Sequence, residues 1–112
     1  MLPYTTNAIV SRAEVWNEGF TTEPYEAGWA TAGVIFLKTI TPAQEGGRAV
    51  LEISPDGLSW ARDDVTVALP VSPDQPTFMR FSAVGCFFRI AVITASPTKG
   101  QKILATACLR AN

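Results

Sequence analysis

Turn-forming residues interrupt this chain at intervals of roughly ten positions, and the stretches between them are short, apolar and alternating. Pro42–Gly47, Pro55-Asp56-Gly57, Pro70–Pro76 and Ser96–Gly100 are the clearest breaks. Leu51 and Ile53 alternate with Val50, Glu52 and Ser54. Val65, Val67 and Leu69 alternate with Thr66 and Ala68, and Phe88, Ile90 and Val92 with Phe87, Arg89, Ala91 and Ile93. A period of two sets one face of a strand against a core. No stretch sustains apolar residues at three-four spacing together with a cap and a stop, so no helix is expected. The pattern predicts an all-β protein, an antiparallel β-sandwich or jelly roll of seven to eight short strands. At 112 residues it is one domain, 1–112.

The central stretch is Val50–Trp60. Proline presets φ, aspartate accepts hydrogen bonds from the backbone and glycine takes a positive φ, so Pro55-Asp56-Gly57 predicts a hairpin turn. Leu58 and Trp60 are expected to restart the alternation and bring an indole against the sheet. Met1–Asn7 reads as an extended N-terminal arm, either frayed or docked on a neighbouring subunit. In the first strand, Ala8–Trp16, Ile9, Ala13 and Val15 are set against Arg12, Glu14 and Trp16. Phe20–Gly28 reads as a loop or short irregular strand. Trp29–Thr41 contains the continuous run Val34-Ile35-Phe36-Leu37, so both faces of that strand are expected to be covered, one by the core and one by a partner. Thr77–Ser82 is a short strand, Val84-Gly85 a bend, and the last two strands are read as a hairpin about Ser96–Gly100.

With 47% hydrophobic residues the chain has enough apolar mass for a core, and a formal net charge of −1 without charge runs does not suit nucleic acid. The longest apolar run, Ala83–Ile93, is broken by Arg89 and too short to span a bilayer, so no membrane partner is expected. The first residues lack a basic region followed by an apolar one, so no signal peptide is expected. The chain holds no histidine, which removes the commonest general base and the Ser-His-Asp triad. Cys86 and Cys108 would lie out of register in a final hairpin, so two reduced, mostly buried thiols are expected.

No catalytic pair is visible. Glu23 and Glu26 share a loop and Asp63-Asp64 are adjacent, but nothing sets two carboxylates across a cleft. Asp56 belongs to its turn. No catalytic residue, metal ligand or cofactor is assigned. Trp16, Tyr25 and Trp29 are candidates for stacking on a sugar, with Trp16 and Tyr25 expected at the surface and Trp60 in the core. Arg80 and Arg89 lie among apolar neighbours, so each either reaches solvent from an outer face or pairs with a carboxylate across an interface.

Ile53–Trp60 (Ile-Ser-Pro-Asp-Gly-Leu-Ser-Trp), followed by Phe78-Met-Arg-Phe-Ser82 and Phe87-Phe-Arg-Ile-Ala-Val92, resembles the small discoidin-like β-sandwich modules that read Ser-x-Asp-Gly-x-x-Trp before an aromatic-arginine strand. The resemblance covers about Arg48 to Arg110. It implies a β-sandwich of the kind found in accessory components of bacteriophage virions and as appendages to carbohydrate-active proteins.

Two functional readings follow. In the first, the chain is a non-enzymatic assembly protein, a phage capsid decoration (cement) or tail accessory protein, located in the virion. Its partners are itself, as a homo-oligomer such as a trimer, and a capsid or tail protein. Apolar residues on both faces of two strands mark Val34, Phe36, Phe87 and Arg89 as interface candidates. In the second, it is a carbohydrate-binding module using Trp16, Tyr25 and Trp29.

Overall fold

The computed structural model describes residues 4–43, 46–82, 86–94 and 101–111. They form β1 (Tyr4–Trp16), β2 (Tyr25–Glu26), β3 (Ala32–Thr39), β4 (Arg48–Ser54), β5 (Ala61–Ala68), β6 (Thr77–Ser82), β7 (Phe87–Thr94) and β8 (Gln101–Ala111). Sheet A has the order β1-β8-β3-β6 and sheet B the order β2-β7-β4-β5, every pairing antiparallel. The pairs β1·β8, β2·β7, β3·β6 and β4·β5 nest about the turn between β4 and β5. This is the order of a long hairpin folded over into two layers, a jelly roll. The Val50–Trp60 stretch therefore lies at the centre of the nesting.

The core fills the space between the sheets. Ile35 and Leu37 of β3, Met79 and Phe81 of β6 and Ile103, Ala105, Ala107 and Leu109 of β8 point inward from sheet A. Leu51 of β4, Val67 of β5 and Phe88, Ile90 and Val92 of β7 meet them from sheet B. Phe81 and Phe88 join the layers with ring centroids 5.6 Å apart. Gly33 is inward on β3 because the space belongs to its neighbours. A Cβ there would lie 2.6 Å from Phe81 and 2.7 Å from Leu109.

Strand β1 departs from the expected pattern. Its pairing with β8 slips between Ile9 and Ser11 and again between Arg12 and Glu14, and Ala13 has φ +59°. Each bulge inserts a residue and reverses which side chains face inward. The first bulge turns Ser11 inward and Arg12 outward, and the second restores the original phase, so Ile9 and Val15 both face solvent while Ser11 and Trp16 are buried. The predicted arm is also corrected from Tyr4 onward. Those residues continue β1, with Tyr4 opposite Ala111 and Asn7 opposite Cys108. Met1–Pro3 lie outside the described residues.

The final hairpin is overturned as well. β7 belongs to sheet B and β8 inserts between β1 and β3 in sheet A, so the two do not pair. A crossover from one layer to the other and a return within one layer use the same turn residues, and the local pattern does not separate them. The Ser96–Gly100 turn and the Val84-Gly85 bend lie outside the described residues, as do positions 44 and 45 of the Pro42–Gly47 turn. Cys86 and Cys108 are free, half-buried thiols, less enclosed than expected.

Candidate functional site

The register of sheet A fixes which side chains share its outer face. One row across the strands is Ile9, Thr106, Phe36 and Phe78. The next is Asn7, Cys108, Val34 and Arg80, and beyond it lie Thr5, Arg110, Ala32 and Ser82. On the other side Arg12 stands beside Leu104 and Lys38. Phe36 is 44% exposed and Phe78 49%, their ring centroids 5.9 Å apart, with Ile9 exposed in the same row. These residues form an apolar band across a solvent-facing sheet.

Charge on this face is one-sided. Arg12, Lys38, Arg80, Lys102 and Arg110 occupy outward positions of sheet A and all are exposed, while no carboxylate occupies one. None of the five is in an ion pair among the described residues. The Arg80 guanidinium stands 5.1 Å from the centre of the Phe78 ring, a cation–π distance. Beside it a groove of about 470 Å³ is lined by Asn7, Ala32, Val34, Arg80, Cys108 and Arg110. A protein whose net charge is −1 thus presents one apolar, cationic face.

The outer face of sheet B is built differently. Glu52 lies opposite both Arg62 and Arg89 in the register, and its carboxylate accepts from Arg89 Nε at 2.8 Å and Arg62 Nε at 3.3 Å. The Arg89 guanidinium also lies 4.2 Å from the centre of the Trp60 ring. Phe87 is half-buried and lies beneath Gly57. The three charges of this cluster are paired within the chain.

The turn joining β4 and β5 is held by its own side chains. Ser54 Oγ accepts from the Gly57 N–H at 2.8 Å and the Asp56 N–H at 3.3 Å, and its hydroxyl donates to Asp56 Oδ1. The same carboxylate oxygen accepts from the N–H groups of Leu58 and Ser59 at 2.8 and 3.0 Å. These bonds hold the Asp56 carboxyl below its ordinary range, the Ser59 N–H contributing most. Gly57 has φ +78°, which a side chain rarely adopts. Ser-x-Asp-Gly is therefore a self-capped turn. It does not restart the strand as expected. β5 begins at Ala61, and Leu58 stands at the tip 83% exposed.

The expected site residues divide accordingly. Val34 and Phe36 lie together on the outer face of sheet A, while Phe87 and Arg89 lie on the opposite face of the molecule and form no common surface with them. Arg80 reaches solvent from an outer face, whereas Arg89 pairs with Glu52 on the adjacent strand of its own sheet and not across an interface. Trp16, expected at the surface, is 1% exposed and stacks on Phe20 at 5.4 Å. Tyr25 is half-buried against Phe88, and Trp29 is half-buried against the core. The three make no exposed stacking platform. Trp60, expected in the core, stands half-buried under Arg89 on an outer face. Ile9 and Phe78 were missed as surface residues. Phe78 was legible, since it shares its parity with the polar Arg80 and Ser82 against the apolar pair Met79 and Phe81.

No protein-family model matches the chain, and no curated protein matches it by sequence. Among solved structures, the crystal structure of the SPBc2 prophage-derived protein YomS aligns over 99% of this chain and 96% of its own, with a TM-score of 0.66 and 7% identity. The two share a fold. A structure of infectious bursal disease virus, Gx strain, aligns over 97% of this chain and 32% of its own, with 10% identity. Its TM-score of 0.42 is too low to carry an argument about fold.

Proposed function

We propose that this chain is a non-enzymatic structural protein of a phage-like virion, a capsid decoration or tail accessory protein that acts by protein–protein contact. The observation carrying this reading is the apolar band Ile9–Phe36–Phe78 on the outer face of sheet A, set among five cations that form no ion pair among the described residues. Fully burying an exposed Phe or Ile side chain is worth about 1.5–3 kcal/mol, and Ile9, Phe36 and Phe78, each about half exposed, would each supply part of that on contact. Cations around an apolar centre match the polar rim of a protein interface. The fold shared with a prophage-derived protein supports the setting. The carbohydrate reading loses its platform with the burial of Trp16.

Light scattering across a tenfold dilution tests the proposal. The wild-type chain is expected to run as a discrete oligomer, and Phe36→Asp as a folded monomer with an unchanged circular dichroism spectrum. A wild-type monomer that also fails to bind particles would overturn it.

A further inference from the structure

The cationic face constrains how copies of this chain meet. A two-fold contact through the outer face of sheet A would set Arg12, Lys38, Arg80, Lys102 and Arg110 of one copy against the same five of the other. Opposed like charges with no carboxylate between them disfavour that arrangement. A complementary surface is present on the same molecule. Leu58, the most exposed of the large apolar side chains, stands at the tip of the β4–β5 turn beside the Asp56 carboxylate. Asp64 lies behind it on β5, exposed, and neither carboxylate is in an ion pair among the described residues. The turn is rigid because Ser54 and Asp56 hold it, so the knob is presented in one shape and little ordering opposes its docking.

We infer that copies associate head to tail, the Leu58 knob of one copy seating in the groove floored by Val34 and Cys108 and flanked by Arg80 and Arg110 on the next. An isobutyl group meets an apolar floor, and Asp56, whose Oδ1 is held by the turn, turns its other carboxylate oxygen to two guanidiniums in charge-assisted hydrogen bonds. Knob and groove lie at the same end of the sandwich. Ala32 pairs with both Ser82 and Arg110 there, β7 starts a few residues after Ser82, and Phe87 pairs with Ser54 beside the turn. They lie on opposite sheets, however. A contact joining two different patches at one level closes into a ring when its rotation divides the circle.

This inference rests on the assembly reading and is separable from it. Leu58→Asp destroys the knob at an exposed site, and Arg80→Glu with Arg110→Glu destroys the groove rim at exposed sites. Each variant alone is expected to run as a folded monomer by light scattering. Mixed one to one they are expected to form a species of twice the monomer mass, because one intact knob and one intact groove remain. A two-fold contact through the outer faces of sheet A predicts instead that Leu58→Asp alone keeps the wild-type oligomer. If Leu58→Asp keeps the wild-type oligomer while Phe36→Asp dissociates it, the assembly reading stands and the head-to-tail contact falls. A wild-type monomer at every soluble concentration overturns the contact outright, as does a mixture that stays monomeric.

Discussion

The indole N–H of Trp16 donates to Ser11 Oγ at 3.0 Å inside the sandwich, and the Ser11 hydroxyl in turn donates a hydrogen bond to Glu14 Oε1 at 2.9 Å. The bulge at Ala13 makes this chain of bonds possible, because it brings Ser11 and Trp16 to the same inward face. Ser11→Ala leaves a buried donor unsatisfied and should lower stability by about 1–3 kcal/mol. Urea denaturation checks this. In a Trp16→Phe background, where the donor is gone, the same change should cost clearly less.

Gly57 and Gly33 should both resist alanine, for unlike reasons. At Gly57 a Cβ would have ordinary contact with Phe87, 3.6 Å away, so the cost is that of the left-handed backbone, about 1–2 kcal/mol. Gly57→Asn should recover part of it. At Gly33 the backbone is ordinary and the cost is overpacking against Phe81 and Leu109, about 1–3 kcal/mol. There Phe81→Leu should relieve the alanine variant. Thermal melts of the single and paired variants separate the two mechanisms.

The Glu52 cluster should respond unequally to loss of its two arginines. Arg62 has a side chain 59% exposed, so Arg62→Ala should cost less than about 1 kcal/mol. Arg89 is more enclosed and also covers Trp60, so Arg89→Ala should cost more and should change the tryptophan fluorescence. Equal losses, or unchanged emission, would contradict this assignment.

The Asp56 carboxyl is held below its ordinary value in the folded chain, so its ionised form favours folding. The contribution is complete above about pH 4, the unfolded range, and is lost as pH falls through the lower folded value. Asp56→Asn keeps an acceptor but no titrating group. Its denaturation midpoint should therefore change less than that of the wild type between neutral and acid pH.

The β-sandwich itself was legible because alternation survives wherever strands are regular, as in β6 and across Phe87–Ile90 of β7. Thr77–Ser82 was bounded correctly, and the inward set Phe88, Ile90 and Val92 was correct. Legibility failed where geometry is set by partners distant in the chain. In β1 neither alternate set is consistently apolar, so the alternation did not say which set points inward; Ile9 was expected inside and Trp16 outside, and the pairing with β8 sets the opposite. The turn after Ser54 was recognised from Pro55-Asp56-Gly57, but Leu58 was drawn into a strand because its exposure depends on where β5 begins. Half of the interface candidates fell on the cationic face. Val34 and Phe36 are distinguished from Phe87 and Arg89 only by which sheet carries them, and that is a property of crossovers.

The nested strand order also bears on how the chain folds. The β4–β5 hairpin closes a loop of a few residues, whereas the pairing of Tyr4 with Ala111 closes nearly the whole chain. The difference in closure entropy is on the order of 2 kcal/mol, so the inner pair has the head start and the outer pair joins late. A lesion at the self-capped turn should then act mainly on the refolding rate, and a lesion in β1 mainly on the unfolding rate. Chevron plots of Gly57→Ala and Ser11→Ala compare the two directly. A chain built this way is slowest to secure the strand that carries its outermost row of surface contacts.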